Sequence, residues 1–284
     1  MKRIPYPHHR HPEPVMPVTR ASVEAAGRTR TYTLVTRTDE ITDLVLVFHG
    51  SKQTADKHRA FTGRAFDALA TADTAVAYLD GHKGNWNDAR RGSRFPARVE
   101  NVDDVAFTEA VIARHAPDRV HAIGYSNGGQ FVFRLLHERP GLLAAAVAIG
   151  ATMPTPDGFT VPTAPAPTPL LLVNGTRDRI VRYEGGEVKP WARALFKVDG
   201  DNLSAPATAA YFARHNGITT APTSTTTGKA ERTAHAQDGR PPVTLLTAHG
   251  AGHTIPGPKK APFVLGSTNR DVSTADLARE LFAR

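Results

Sequence analysis

The stretch RVHAIGYSNGGQFVFRLLHER, residues 119–139, is the part of the sequence that decides the fold class. Its first part, RVHAIGYS, is a short apolar run typical of a buried strand, and its second part, NGGQFVFRLLHER, predicts a helix that begins near Asn127. At the junction, Gly124, Ser126 and Gly128 form a Gly-x-Ser-x-Gly pattern. The stretch therefore predicts a sharp strand-to-helix turn with Ser126 at its tip.

The residues around Ser126 are those that a reactive serine needs. Its Oγ must stand clear of the sheet, and a sharp turn achieves this with a crowded backbone, which glycines two positions before and after relieve. The following helix directs its first N–H groups at negative charge near Ser126. The pattern alone is common by chance. The strand before it and the helix after it favour a nucleophile over a serine that merely fits a tight turn.

The rest of the chain alternates in the same way between short apolar strands and amphipathic helices. Before them, ASVEAAGRTRTYTLVTR predicts two strands around a turn at Ala26–Gly27. Further predicted strands are DLVLVFHG, AVAYLD, AAAVAIG, PLLLVNG and PVTLLTAHG, and further predicted helices are KHRAFTGRAFDALAT, VDDVAFTEAVIARHA and TADLARELFAR. APTSTTTGKAERTAHAQDG is predicted to be a loop or a short hairpin. This alternation predicts an α/β fold, a mostly parallel central sheet with helices on both faces.

Length and composition agree with one large domain. The chain has 284 residues, of which 40% are hydrophobic, and we predict a single α/β domain at 18–284 after an irregular arm at 1–17. No apolar run approaches the roughly 18 residues that a membrane span requires. The opening residues lack the apolar run of an export signal. The sequence as given therefore predicts a cytoplasmic protein, or a secreted one if a leader has been removed.

The charge and the absence of cysteine exclude several classes of chemistry. With no cysteine, the chain has no disulfide, thiolate metal site or cysteine nucleophile. The net charge is +8, but its arginines are scattered and follow no nucleic-acid-binding motif, so we predict a solvated basic surface and no nucleic-acid partner. No close His, Asp and Glu spacing suggests a metal, and no cofactor is predicted. The sequence predicts no particular oligomeric state.

A serine nucleophile needs a histidine base and a carboxylate that orients the histidine. In the predicted fold these follow in the order Ser, acid, His, each after a strand. Asp178 comes just after PLLLVNG, and His253 lies in a glycine-rich loop after PVTLLTAHG. Asp199 and Asp201 lie farther from any predicted strand end and are the weaker alternatives. A surface ion pair with its flanking arginines is the other interpretation of Asp178.

The histidine base and the oxyanion donors are chosen by their positions after strands. His249 competes with His253, but it lies at the strand terminus, whereas the loop around His253 gives that residue reach. A tetrahedral intermediate needs two N–H donors. We assign these to the backbone of Asn127, directly after the nucleophile, and of Ser51, in the loop after LVLVFHG. The side chain of His49 is interpreted as structural support for that loop.

Six stretches taken together resemble a known family, the esterases grouped with poly(3-hydroxyalkanoate) depolymerases, which include feruloyl and acetylxylan esterases. They are LVLVFHGSKQTA, YLDGHKGNWND, VENVDDVAFTEAVI, GYSNGGQFVFRL, NGTRDRIVRYEGG and GAGHTIPG, and they span roughly residues 30–257. The resemblance implies an α/β-hydrolase fold and cofactor-free ester hydrolysis. Carried over by position, it implies a nucleophile, an acid and a base at Ser126, Asp178 and His253. It also supports the two oxyanion donors named above.

The resemblance also bears on Trp86 and on the substrate. Trp86 falls in the stretch WND, which in the family lies near the substrate cleft, whereas a lone tryptophan more often packs in a core; both interpretations stay open. Family members commonly carry cysteines where this chain has Ser51 and ARRGSR. Many relatives are secreted and some have appended substrate-binding domains, whereas the sequence as given predicts neither a leader nor such a domain. A soluble or oligomeric ester is therefore at least as well supported as a polymer.

The expected function is that of a serine carboxylic-ester hydrolase. Its expected substrates are hydroxyalkanoate (polyester or oligomer), feruloyl or acetyl esters. Two alternatives stay open at this point. One is an acyltransferase or peptidase that uses the same triad, and the other is a non-catalytic module of this fold that binds a carbohydrate or a partner.

Overall fold

Strands make up the centre of the structure, a computed structural model that describes residues 16–196 and 198–284. The predicted arm at 1–17 lies outside the described residues except for its last two, and the division into arm and single domain stays a prediction. In chain order the strands are β1 (Val18–Ala25), β2 (Arg28–Val35), β3 (Asp43–Phe48), β4 (Thr74–Leu79), β5 (Arg119–Tyr125), β6 (Ala145–Ile149), β7 (Leu170–Gly175), β8 (Gly186–Glu187), β9 (Asp201–Asn202), β10 (Thr223–Thr227), β11 (Ala230–His235) and β12 (Val243–Ala248).

Ten of these strands form one sheet in the order β1-β2-β4-β3-β5-β6-β7-β12-β11-β10. The run from β4 to β12 is parallel throughout, and antiparallel pairs flank it at both ends. Every residue of β3, β6, β7 and β12 is buried, as expected of parallel strands covered on both faces. The predicted fold class is confirmed. The stretch predicted as a loop or short hairpin forms β10 and β11, which extend the sheet.

Helices cover both faces of the sheet. In chain order they are α1 (Ala55–Phe61), α2 (Pro96–Val99), α3 (Asp104–His115), α4 (Asn127–Glu138), α5 (Pro190–Phe196), α6 (Ala205–His215) and α7 (Thr274–Phe282). Successive residues of β3 alternate between two hydrophobic cores, since Leu46 and Phe48 lie in one and Val45 and Val47 in the other. No helix of the described residues combines the length and apolar character that crossing a bilayer requires.

The single helix predicted from KHRAFTGRAFDALAT is interrupted in the structure. Helix α1 ends at Phe61, and a 3₁₀ turn follows at Ala65–Leu69. Between them Gly63 and Arg64 have φ of 66° and 63°, in the left-handed region. A helix cannot continue through two such residues, so the hydrophobic spacing across them is divided between two short elements.

Candidate active site

Ser126 occupies a strained turn between β5 and α4, as the Gly-x-Ser-x-Gly pattern predicts. Its φ of 55° and ψ of −115° lie outside the regions that side chains normally favour. A Cβ atom at Gly124 would overlap the carbonyl oxygen of Gly128, and one at Gly128 would overlap that of Phe48. Both positions therefore accept only glycine if β3, β5 and α4 are to approach this closely.

Three predicted side chains form a hydrogen-bonded row at the carboxyl edge of the sheet. The hydroxyl Oγ of Ser126 lies 2.8 Å from Nε2 of His253, and Nδ1 of His253 lies 2.6 Å from Oδ2 of Asp178. They follow β5, β12 and β7, and because parallel strands end at the same edge, residues far apart in the chain meet there. With Asp178 ionised, Nδ1–H of a neutral imidazole donates to the carboxylate, which leaves Nε2 to accept from the serine.

The backbone around Asp178 fixes the direction of its carboxylate. Oδ1 accepts hydrogen bonds from the N–H groups of Ile180, at 2.8 Å, and Val181, at 2.9 Å. The side chain is 1% exposed, so water does not compete for these positions. With Oδ1 occupied in this way, Oδ2 is held toward the imidazole.

The loop of His253 is held from three sides. Its N–H donates to the carbonyl of Leu265 at 2.7 Å, and its carbonyl accepts from the hydroxyl of Tyr125 at 2.7 Å. Gly150, at a φ of 58°, lies against the imidazole, where a Cβ atom would come within 3.0 Å of Cε1. Burial raises the pKa of Tyr125 well above its usual value, so the phenol stays a donor. The imidazole is therefore positioned before any substrate arrives.

A cleft beside Ser126 contains both predicted oxyanion donors. Its free volume, including the solvent-filled mouth, is about 490 Å³. Within the part of the chain that the structure describes, the N–H groups of Ser51 and Asn127 donate to no other residue. Its lining comprises Ser51, Arg90, Phe95, Ser126, Asn127, Gln130, Ile180, Val181, Val188, Val198 and Asn202. Two free N–H donors thus border the cleft next to the serine.

The side chain of Asn127 anchors the first turn of α4 in a buried polar network. Its Oδ1 accepts from the backbone N–H of Trp86 at 2.8 Å, and its Nδ2 donates to Oδ2 of Asp88 at 2.6 Å. Asp88 is fully buried and forms an ion pair with Arg90 at 2.6 Å. Because each of these groups is paired, the network fixes the position of the Asn127 backbone.

His49 supports the loop that carries Ser51, in agreement with the interpretation of the sequence. Its Nε2 accepts from the N–H of Gly81 at 2.9 Å, and its Nδ1 lies 2.7 Å from the carbonyl of Gly50. Burial lowers the pKa of His49 to about 4. The ring is therefore neutral near pH 7, with its proton on Nδ1 and donated to Gly50.

The expectation that Trp86 lies at the substrate cleft is corrected by the structure. Its side chain is 0% exposed and contributes nothing to the cleft wall. The ring stacks on Phe131 at 5.4 Å between centroids, and its Nε1 donates to the carbonyl of His49 at 2.9 Å. A large ring with one satisfied N–H is accommodated best in the core, which is the other interpretation of the sequence.

The alternatives to the predicted acid and base lie elsewhere. Asp199 forms an exposed ion pair with Arg193 at 3.0 Å, and His249 forms one with Glu231 at 3.0 Å. Asp201 is exposed in β9. Among the described residues, the structure brings Asp178 and His253 together with the serine, and none of these three alternatives contacts them.

Sequence analysis did not identify the groups that surround the row. For the buried hydroxyl of Tyr125 and the carboxylate of Asp88, the sequence contains only a weak indication of a role, since each is a polar residue beside a motif. For the apolar cleft residues Val181, Val188 and Val198 it contains none, because they come from segments outside the central strands. Among the described residues, no cluster of three or more His, Asp or Glu side chains could hold a metal ion.

Comparison with known proteins places the chain among esterases. No protein-family model matches it. It is 32% identical over 298 residues to "Putative esterase NocK" of Nocardia uniformis subsp. tsuyamanensis, which covers 96% of this chain and 84% of that protein. It is 27% identical over 225 residues to Feruloyl esterase B of Piromyces equi, which covers 76% of this chain. That alignment spans only 40% of the Piromyces enzyme's length.

Solved structures agree with the fold. Esterase PE8 has a TM-score of 0.50 and 16% identity, covering 86% of this chain and 92% of its own. A "predicted CIB-like hydrolase" of Thermoplasma acidophilum also has a TM-score of 0.50 and 16% identity, covering 84% and 89%. At such identities the likeness concerns the fold alone. The finer grouping with poly(3-hydroxyalkanoate) depolymerases stays a prediction. By its likeness to NocK over almost its whole length, the chain belongs to the esterases of the α/β-hydrolase type and is a carboxylic ester hydrolase.

Proposed function

We propose that the protein hydrolyses carboxylic esters through an acyl-enzyme formed on Ser126, with Asp178 and His253 completing a catalytic triad. The observation that carries this proposal is the hydrogen-bonded row from hydroxyl to imidazole to carboxylate, at 2.8 Å and 2.6 Å. A serine hydroxyl is a poor nucleophile unless a positioned base takes its proton. The two unoccupied N–H donors beside the serine add the second requirement, stabilisation of an oxyanion.

In the first step Ser126 Oγ forms a bond to the ester carbonyl carbon and its proton moves to Nε2 of His253. The carbonyl oxygen gains a negative charge, which the N–H groups of Ser51 and Asn127 stabilise. The bond from carbon to the alcohol oxygen then breaks, and the Nε2 proton passes to that oxygen. Asp178 holds the reactive tautomer and stabilises the imidazolium throughout.

In the second step water releases the acid. His253 takes a proton from the water while the water oxygen attacks the acyl-enzyme, and the bond to Ser126 Oγ breaks as Nε2 returns the proton to it. The acyl group lies in the cleft beside the oxyanion donors. The cleft wall combines apolar side chains, among them Phe95 and Val188, with the polar Gln130 and Asn202. This mixture suits a hydroxyalkanoyl, feruloyl or acetyl group.

The first test is Ser126→Ala, with Ser51→Ala as the matched control. We expect kcat/KM for p-nitrophenyl acetate to fall by about 10³-fold or more in Ser126→Ala, because the nucleophile is gone. Ser51→Ala should stay within a few fold, because the donor there is the backbone N–H. Both variants should keep the wild-type circular dichroism. Near-wild-type turnover by folded Ser126→Ala would overturn the proposal.

Two further measurements separate the rival functions. A fluorophosphonate probe should label the wild type and not Ser126→Ala; an unlabelled wild type would favour a non-catalytic binding module. Adding alcohols during hydrolysis of p-nitrophenyl acetate measures how much acyl group passes to an acceptor other than water, as in an acyltransferase. A panel of feruloyl esters, acetylated sugars and hydroxybutyrate oligomers, with a peptide amide as a further substrate, then identifies the substrate class.

A further inference from the structure

A second groove borders the candidate site on the side of His253. Its free volume, including the solvent-filled mouth, is about 1690 Å³, and Ile180 lines both this groove and the cleft beside Ser126. We call it the cationic groove and define it by six residues that line it: Arg177, Arg179, Lys189, Trp191, Phe263 and Val264. None of these side chains belongs to the hydrogen-bonded row of Ser126, His253 and Asp178.

The charge of the cationic groove is positive and locally uncompensated. Arg177, Arg179 and Lys189 are exposed, and none forms an ion pair with another described residue. No aspartate or glutamate lines the groove. The carboxylate between the two arginines in the sequence, Asp178, is 1% exposed and bonded to His253. Three cations thus face the groove without an internal anion.

The apolar part of the groove is unusually exposed. Phe263 is 95% exposed, Val264 87% and Trp191 46%. Large apolar side chains that cluster on a surface commonly mark a binding site. Beside three cations, they match a ligand that combines an apolar body with an anionic group.

The apolar turn is attached rigidly to the loop of the histidine. Phe263 and Val264 lie in a 3₁₀ turn that ends at Leu265, whose carbonyl accepts the His253 N–H. A Cβ atom at Gly252 would overlap that same carbonyl oxygen, so the two segments are packed backbone to backbone. The turn and the imidazole therefore keep a fixed separation.

The chemistry of ester cleavage indicates which half of a substrate would enter the groove. The departing alcohol oxygen must lie within hydrogen-bond reach of Nε2 of His253, which protonates it. The carbonyl oxygen faces the N–H groups of Ser51 and Asn127 instead. His253 lines the cationic groove, whereas the oxyanion donors line the other cleft. The alcohol half is thus the one directed toward the cations.

We infer that the natural substrate carries an anionic group on an apolar, aromatic alcohol half, which binds in the cationic groove. This inference rests on the proposed function, since it uses the orientation set by Ser126 and His253. The arginines bind the anion, and Trp191 and Phe263 cover the ring. The groove selects among esters and takes no part in bond breaking.

The test compares two esters with the same acetyl group and the same ring. In 4-acetoxybenzoate the alcohol half is anionic, and in methyl 4-acetoxybenzoate it is neutral. The measured quantity is the ratio of their kcat/KM values. In Arg177→Gln/Arg179→Gln we expect this ratio to fall roughly fivefold to tenfold, the range for two exposed charge pairs. The neutral ester should change by less than about threefold. Lys189 is farther from Asp178 in the chain than the two arginines are. Its substitution, Lys189→Gln, should lower the ratio about twofold.

A matched control removes the same charge elsewhere. Arg28 and Arg37 are exposed, lie outside the groove, and have no ion pair among the described residues. Arg28→Gln/Arg37→Gln should leave the ratio unchanged, which excludes an effect of net charge. Added salt should lower the ratio in the wild type and much less in the groove variant.

The outcomes separate the two proposals. If the wild type hydrolyses the neutral ester and the ratio is the same in all variants, the groove assignment is overturned and the proposed function stands. If the wild type hydrolyses neither ester, nor p-nitrophenyl acetate, the proposed function itself fails. A ratio that falls equally in the groove and control variants shows general electrostatic attraction and also overturns the assignment.

Discussion

Two buried histidines at the same edge of the sheet, His49 and His253, differ in the partners of their ring nitrogens. His49 follows β3 and lies between two backbone groups, the carbonyl of Gly50 and the N–H of Gly81. His253 follows β12 and lies between the Asp178 carboxylate and the Ser126 hydroxyl. Both rings are almost completely buried. Residue type, burial and place in the fold are therefore shared, and only the partners differ.

The partner of Nδ1 determines whether a buried histidine is suited to carry a proton. A full negative charge at Nδ1 stabilises an imidazolium, whereas a carbonyl dipole does so much less. Burial lowers the pKa of His49 to about 4, so that ring stays neutral and serves as a hydrogen-bonding strut. The row at His253 provides a compensating carboxylate and a proton donor at the opposite nitrogen. Replacing His253 is therefore expected to reduce activity, whereas replacing His49 is expected to reduce stability.

The largest effect is expected for His253→Gln. Without the imidazole, no group can take the proton of Ser126, and kcat/KM for p-nitrophenyl acetate should fall by about 10⁴-fold. The midpoint of thermal unfolding should stay close to that of the wild type. His249→Gln is the control, because His249 is an exposed partner of Glu231, and it should keep wild-type activity. Substantial turnover in His253→Gln would remove the distinction between the two histidines.

A somewhat smaller loss is expected for Asp178→Asn. If the amide oxygen keeps the bonds from Ile180 and Val181, its NH₂ group faces Nδ1 of His253. The imidazole must then carry its proton on Nε2 and cannot accept one from the serine. We expect kcat/KM to fall by about 10³- to 10⁴-fold with the fold preserved. In Asp199→Asn, an exposed site, activity should not change; equal losses in both variants would contradict this role for Asp178.

His49→Phe should reduce stability rather than activity. The ring can still pack beside Trp86, but the partly buried N–H of Gly81 and the buried carbonyl of Gly50 lose their partners. A buried unsatisfied group costs about 1–3 kcal/mol and a partly buried one less, so urea denaturation should show a loss of about 2–4 kcal/mol. Activity of the folded variant should fall by less than about tenfold. An activity loss as large as that of His253→Gln, without destabilisation, would show that the comparison is wrong.

The smallest effect concerns pH and a third buried histidine, His58. It packs against both Phe61 and Tyr125, and burial lowers its pKa to about 3, from an ordinary value near 6.5. Between those values the unfolded chain binds a proton that the folded protein does not, so stability falls as pH falls from 6.5 toward 3. From pH 7 to pH 5 this costs about 2 kcal/mol.

The variant His58→Phe isolates that contribution. Its loss of unfolding free energy between pH 7 and pH 5 should be about 2 kcal/mol smaller than that of the wild type, measured by urea denaturation at both values. Other buried histidines, among them His49 and His137, contribute to the slope in both proteins and cancel in the difference. Identical pH dependence of the two proteins would show that His58 is not buried in the neutral form.

The parallel strands and the residues at their ends could be predicted because their signals are local. A strand buried on both faces must be a continuous apolar run, and a polar residue directly after such a run is placed at the sheet edge by the fold itself. Ser126 and Asp178 are of this kind, and predicting their positions needed no knowledge of how the loops are folded. His253 lies in the loop after β12 and was preferred to His249, at the strand terminus, because of the reach of that loop.

Features that depend on loop paths could not be predicted. Helix α6, Ala205–His215, is rich in alanine and shows little hydrophobic spacing, although it packs on the core through Phe212 and Ala209. Trp86 looked equally suited to core and cleft, because the turn from Gly81 to the tryptophan determines which way the ring points. The positions of Val181, Val188 and Val198, which line the cleft, could not be predicted either, because they depend on tertiary contacts.

The order of strands in the sheet has a consequence for how the molecule loses activity. The strands that precede Ser51, Ser126, Asp178 and His253 are each paired on both sides, and the hairpins β1–β2 and β10–β11 occupy the two ends. Edge strands open by local fraying, whereas central strands exchange their amide hydrogens only when much of the molecule unfolds. Deuterium should therefore enter the terminal hairpins long before the interior strands, and heat inactivation should coincide with global unfolding.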